Sequence, residues 1–393
     1  MFPRIRQVQI RNYKSLGHVV ADLAPFTALV GANGAGKSNF VDALTFARDC
    51  VSLSLDSALS SHRGLAIVPR WQDLDSAELG LRFLIDLPGE KMADYGFEIA
   101  LGREKPLRVM RERCTIQGPG SEEIGFEVDQ GTFVRKIPGI RPKLSPDRLA
   151  LLAASGTDEF RPIYDFLSSM RSYSIEPGNL GRWQELDSGE ALWPDARNAA
   201  AVLESLQEKG PDRYERVLQL LSLAVPGIRN IKFEGPSRDK ALLVFLQDIG
   251  LDAPARFFGM EMSEGTLRIL GLLLAVYQLH PTSLIVIEEP EATVHPAVAE
   301  LIVQVLLDAA RDRQVLITTH SPDILDSKEL TDEQIRIVTS RKGRTTIAPL
   351  SLSSRQAVRE HLYTPGELLR SNELTPDLEQ TEPASGQQDL FGS

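Results

Sequence analysis

A chain of 393 residues, 42% hydrophobic and 25% charged, has the composition of a soluble globular protein large enough for two or three packed units. Its net charge of −11 excludes a chain that coats nucleic acid by bulk electrostatics and confines DNA contact to local basic stretches, Arg103 to Arg113 and Arg135 to Arg148. Two distant cysteines, Cys50 and Cys114, exclude a disulfide framework, and without a signal-peptide core or a bilayer-spanning apolar run the expectation is a cytoplasmic protein with no membrane partner.

Ile5 to Ile10 reads as a first strand and Val19 to Leu23 as its hairpin partner. The apolar run Phe26 to Val30 reads as a buried strand and leads into Gly31-Ala32-Asn33-Gly34-Ala35-Gly36-Lys37-Ser38, a phosphate-binding P-loop. Its glycines let backbone N–H groups turn inward around β- and γ-phosphates, Lys37 offers them a point charge, and the Ser38 hydroxyl is placed to ligate Mg²⁺. A helix over Phe40 to Arg48 points its N-terminal dipole at the same phosphates. From about Glu78 to Ile137, short alternating runs separated by Gly, Pro and Asp predict an antiparallel meander, in which Arg103 to Arg113 alternates like a solvated strand face. Between Ser145 and Val225 the spacing turns helical without sustained heptads, and strand periods return at Ile231 to Phe233 and Ala241 to Leu246.

Three later segments carry chemistry. Met262-Ser263-Glu264-Gly265-Thr266-Leu267-Arg268 opens an apolar helix; Ser263 there is either an ordinary N-cap or, with the free N–H groups at Gly265, a seat for an anion supplied by another molecule. Ser283 to Glu291 is a buried strand whose end delivers two carboxylates: Glu288 to reach Mg²⁺, Glu289 to polarise a water attacking the γ-phosphate. Gln314 to Pro322 is a further strand, ending in His320, which either packs in its loop or hydrogen-bonds the γ-phosphate or the attacking water. The polar tail from about Thr364 carries one candidate docking turn, Gly366 to Leu369, and its closing Asp389-Leu390-Phe391-Gly392 reads as a frayed end in preference to a partner-binding motif.

The order of these motifs resembles the ABC-type ATPases, and more narrowly their RecF/SMC/OLD-like branch, on Arg11-Asn12-Tyr13-Lys14-Ser15, Gly31 to Ser38, Ser263 to Arg268, Glu288-Glu289-Pro290-Glu291 with His295-Pro296, and Thr318-Thr319-His320-Ser321-Pro322. The likeness covers roughly residues 1 to 50 and 255 to 350. It implies an α/β fold, an ABC-type ATPase head with a P-loop mixed sheet, an antiparallel β meander and a helical insert. The implied division is 1–144 for the first ATPase lobe, 145–230 for the insert, 231–350 for the rest of the core, and 351–393 for a polar tail.

The resemblance also implies ATP and Mg²⁺ as cofactors, with nucleotide contacts from Asn33, Gly34, Ala35, Gly36, Lys37, Ser38 and Asn39. ATP would be sandwiched in a head-to-head dimer, Ser263 and Gly265 acting in trans. Glu288 takes the Walker B position with Ser38 as Mg²⁺ ligands, Glu289 that of the catalytic base, and His320 that of the switch histidine; Glu291 to His295 fall in the D-loop region. Gln72 is placed as an Mg²⁺-sensing Q-loop residue by order alone. Asn12 and Lys14 border the nucleotide, or else form a solvated hairpin turn. Glu288 stands where Asp is common, so its Mg²⁺ ligation is direct or through water, and Ser-Glu-Gly in place of Ser-Gly-Gly argues against a transporter subunit. The implied role is a dimeric switch gating a nuclease or toxin effector in anti-phage defence. A RecF-like DNA repair ATPase is the alternative and a transporter ATPase the third reading. With no Toprim-like acidic cluster after His320, nuclease chemistry is expected from a partner.

Overall fold

The computed structural model describes residues 2–378 and 390–391, apart from 63, 65–67, 69–76, 102–106, 121, 138–141 and 238–239. The N-terminal hairpin pairs β1 (Arg4–Tyr13) with β2 (Leu16–Asp22), longer than the apolar alternation alone marks out. Next come β3 (Phe26–Val30), α1 (Lys37–Ser52) and α2 (Leu55–Ser61). The expected meander is β4 (Ala77–Leu87), β5 (Lys91–Leu101), β6 (Arg108–Gln117), β7 (Ile124–Asp129) and β8 (Thr132–Arg135). The helical stretch holds α3 (Ala150–Ala154), α4 (Arg161–Ser168), α5 (Pro177–Leu180), α6 (Ala199–Lys209) and α7 (Pro211–Ala224), and also two short strands, β9 (Arg171–Tyr173) and β10 (Gln184–Glu185). Then follow β11 (Ile228–Ser237), β12 (Lys240–Gln247), β13 (Ala255–Phe258), α8 (Glu264–Tyr277), β14 (Leu284–Glu288), α9 (Ala299–Ala309), β15 (Gln314–Thr319) and α10 (Pro322–Leu325). The chain closes with β16 (Ile335–Arg341), β17 (Arg344–Ala348), α11 (Leu352–Arg359) and α12 (Pro365–Arg370).

Two large sheets result. One is antiparallel, in the order β2-β1-β4-β5-β6-β7-β8; the other is mixed, in the order β17-β16-β3-β15-β14-β9. In the mixed sheet β9, β14, β15, β3 and β16 run parallel, and only β17 returns antiparallel. Its central strands are buried on both faces, which is why they read as unbroken apolar runs. Leu29, Val286 and Leu316 face a core shared with α1 and the inner face of the antiparallel sheet; Ala28, Val30, Ile285 and Ile317 face α6, α8 and α9. The seam between the sheets is polar at one point: the buried Gln314 side chain accepts from Ile5 N–H (2.9 Å) and donates to the carbonyls of Ile5 (2.7 Å) and Ala24 (3.1 Å).

The antiparallel layer carries a buried carboxyl group of its own. Glu112 of β6 accepts from Tyr95 Oη (3.1 Å) and from the N–H groups of Ala150 and Leu151, so a strand carboxylate caps α3. Burial raises its pKa to about 7 against the pull of those three donors. Cys50 and Cys114 are buried and unpaired, as expected. Among the described residues no helix is long and apolar enough to cross a membrane.

The tail departs from expectation at its end. The candidate docking turn is α12, capped by Thr364 and tied through Arg370 to Asp323 (2.9 Å) and Asp326 (2.7 Å). Leu390 and Phe391, expected to fray, are 2% and 6% exposed and lie on the antiparallel sheet, because an apolar pair in a polar tail is driven to any surface that can cover it.

Candidate functional site

Because β3, β15 and β14 are parallel, their C-terminal ends open on one edge. There β3 passes into the P-loop, whose Gly36 caps α1 at a left-handed φ of 106°. A Cβ at Gly36 would meet Thr345 Oγ1 of β17 at 2.0 Å, so both conformation and space require glycine. Lys37 Nζ curls over the loop and donates to the carbonyls of Gly31 (2.7 Å) and Ala32 (3.2 Å). Burial holds this ammonium below the usual lysine range, while Glu289, Glu291 and Glu288 pull it back up. Asn33, Gly34 and Ser38 form the exposed rim, and Ala35 is buried beneath them.

The loop is braced from behind. Asn39 Nδ2 donates to Ser15 Oγ (2.7 Å), Ser15 Oγ pairs with Thr345 Oγ1 (2.7 Å), and Thr345 Oγ1 donates to the Ala35 carbonyl (3.0 Å). Ser38 Oγ donates forward to Glu288 Oε2 at 2.6 Å across 250 positions of sequence. A hydroxyl and a carboxylate so placed are the hard oxygen donors that Mg²⁺ takes when it keeps waters and phosphate oxygens for its other positions. Among the described residues no group of three or more His, Cys, Asp or Glu could hold a metal ion.

Glu289 takes a φ of 45°, sparsely populated for a non-glycine residue and worth on the order of 1–3 kcal/mol of strain. Its N–H donates to the Thr318 carbonyl (3.0 Å) and Oγ1 (3.3 Å), and its Oε1 lies 3.4 Å from His320 Nδ1. Behind them Thr319 Oγ1 donates to Glu291 Oε1 (2.5 Å), tying the loop after β14 to the end of β15. Glu291 Oε2 is buried without a hydrogen-bond partner, and burial raises this carboxyl's pKa against the Thr319 bond. His320 lines two cavities. One, of about 460 Å³, is shared with residues 30–35 and 337–340, the other, of about 450 Å³, with residues 291–296 and 321–323.

Ser263 is the exposed N-cap of α8: its Oγ accepts from Thr266 N–H (3.1 Å) and pairs with Thr266 Oγ1 (2.8 Å). Gly265 packs so closely that a Cβ would sit 2.7 Å from the Thr293 carbonyl, in the loop past Glu289. Immediately before this turn, Phe258 and Met260 are 40% and 64% exposed. Arg268, one helical turn in, has its pKa lowered by burial against the pull of Glu176, Glu264, Glu289 and Glu291.

Other expected site residues sit apart. Asn12 and Lys14 occupy left-handed positions of the β1–β2 turn; Asn12 Nδ2 donates to the Glu78 carbonyl (2.9 Å) and Lys14 Nζ pairs with Asp42 of α1. That turn reaches the P-loop through Ser15. Gln72 lies outside the described residues. Sequence reading missed Thr345 and the buried His62, whose ring nitrogens lie 2.8 Å from Asp42 and 3.0 Å from Asp49. For His62 a signal existed: two carboxylates seven positions apart share one helix face. The basic stretches are partly neutralised, Arg111 by Glu127 (2.8 Å) and Arg135 by Glu123 (2.5 Å).

The chain is similar to known proteins in family and in fold. The family described as "AAA domain, putative AbiEii toxin, Type IV TA system" matches residues 26–326. The Old nuclease of Escherichia phage P2 is 23% identical over 383 residues, 90% of this chain and 62% of that protein. The OLD nuclease of Thermus scotoductus is 23% identical over 381 residues, 86% of this chain and 62% of that protein. The chain therefore spans about three-fifths of the length of the curated relatives it matches. A solved SMC head bound to the C-winged helix domain of ScpA has the same fold at 14% identity, with a TM-score of 0.52, covering 89% of this chain and 99% of that one.

Proposed function

The chain belongs to this AAA-domain family, as an ABC-type ATPase of the RecF/SMC/OLD-like branch, and from that premise we propose an ATP-hydrolysing switch whose two copies close head to head and gate a nuclease or toxin effector in cytoplasmic anti-phage defence. The observation that carries the reading is the meeting at one sheet edge of Ser38 with Glu288 (2.6 Å) and Glu289 with His320 (3.4 Å). In it the P-loop N–H groups and Lys37 hold the β- and γ-phosphates. Ser38 and Glu288 would hold Mg²⁺, which would supply neutralising charge to phosphate oxygens. Glu289 orients the attacking water and accepts its proton; His320, beside it, donates to the γ-phosphate. Exposed Ser263, half-buried Gly265 and the exposed neighbours Phe258 and Met260 meet the second copy at its nucleotide, since an exposed apolar pair beside a helix N-terminus marks a contact surface. The nuclease form of the effector is suggested by the two relatives, both of which are named as OLD nucleases. The arginine ion pairs on the basic stretches weigh against the DNA-clamp reading.

Glu289→Gln tests the switch. With ATP it should double in mass by light scattering and lose hydrolysis by at least about 100-fold. A chain that stays monomeric with ATP and hydrolyses at the wild-type rate sinks the proposal.

A further inference from the structure

On the outer face of the antiparallel sheet, opposite its core side, Gly80 of β4 and Gly96 of β5 leave a bare floor. Leu390 and Phe391 lie on that floor: a Cβ at Gly80 would come within 3.0 Å of Leu390 Cδ2, and one at Gly96 within 3.1 Å of Phe391 Cε1. Charged posts surround them. Arg82 donates Nη1 to the Leu390 carbonyl (2.9 Å) while its Nε and Nη2 are held by Asp94 (2.7 and 2.6 Å). Arg111, fixed by Glu127 (3.0 and 2.8 Å), places its guanidinium 4.8 Å from the Phe391 ring centroid. A backbone carbonyl read by one arginine, an aromatic ring covered by another and two side-chain berths opened by glycines select an adjacent Leu-Phe pair and not apolar residues in general.

We propose that this depression is a peptide-recognition site for a Leu-Phe pair, filled here by the chain's own residues 390 and 391 and exchangeable with the same pair from a second copy. Eleven positions, 379–389, separate Leu378 from Leu390, and such a length extends to about 40 Å. Exchange between copies makes no new kind of contact, so it costs little beyond the entropy of association. It needs neither ATP nor α8 and stands apart from the proposed nucleotide-linked dimer.

A full-length Leu390→Ala/Phe391→Ala chain vacates the site. Without nucleotide, a labelled synthetic peptide of residues 384–393 should bind it saturably, at least about tenfold tighter than it binds the wild-type chain, where the resident pair competes. The peptide with both positions changed to alanine should bind at least tenfold more weakly. Equal binding of both peptides, or none at millimolar peptide, overturns the proposal. A second full-length variant, Gly80→Cys/Leu390→Cys, is independent of the peptide measurement. Oxidised without nucleotide, it should give a cross-linked monomer when dilute and a rising share of cross-linked dimer as concentration increases. No cross-link, or a monomer band alone at every concentration, overturns exchange.

Discussion

The two large sheets distribute chemistry in opposite ways. In the mixed sheet the parallel strands β3, β15 and β14 end on one edge, and the P-loop, Glu288, Glu289 and His320 gather there. The antiparallel sheet alternates its strand ends between two edges, so no such gathering occurs, and what it offers is a face: glycines, arginines and the Leu390-Phe391 pair laid across β4, β5 and β6. Parallel packing concentrates groups at a line; antiparallel packing spreads them over a surface.

If that division holds, damage at the edge should remove activity and spare stability, and damage in the antiparallel layer or at the seam should do the reverse. The largest effect belongs to Lys37→Ala, expected to cut hydrolysis by about 10²–10³-fold with the melting temperature nearly unchanged, measured by phosphate release and calorimetry. A large loss of stability in that variant would break the comparison. Gln314→Leu strands the buried N–H and carbonyl of Ile5 at the seam and should cost about 3 kcal/mol in urea unfolding. Glu112 gives the antiparallel layer a pH signature. Its carboxyl holds its proton to about pH 7 when folded but loses it near the ordinary 4.5 when unfolded, so the folded chain binds more protons in between. Stability should fall by roughly 2–3 kcal/mol as pH rises from 4.5 to 7, and Glu112→Gln should remove that component of the slope; an unchanged slope would count against a buried, titrating Glu112. The smallest effect is expected from Gly265→Ala, about 1 kcal/mol of stability with a several-fold loss of hydrolysis, from a Cβ pressed on the Thr293 carbonyl.

What could be read from the sequence follows the same division. The P-loop, the paired glutamates and His320 each end a local apolar run, so spacing alone puts them at strand ends, and their shared direction does the rest. Thr345 and Gln314 have no such signal: their partners, Ala35 and Ile5, lie 310 and 309 positions away, and an ordinary Thr or Gln in a strand announces nothing. Asn12 and Lys14 were legible as a turn, but which of its residues braces the P-loop depended on β17, which returns from the far end of the chain. Leu390 and Phe391 misled in the other direction. Local composition predicts a frayed end, and the floor that receives them is made by two glycines whose role shows only once β4 and β5 are paired.

The Gly265 contact has a further consequence. With the Thr293 carbonyl where a methyl group would stand, the outward tip of α8 and the segment just beyond Glu289 have no slack between them. A methyl group added at Gly265 would press on the loop that follows Glu289, so the tip of α8 and the carboxylate beside His320 are joined through one backbone contact and not through a relay of side chains.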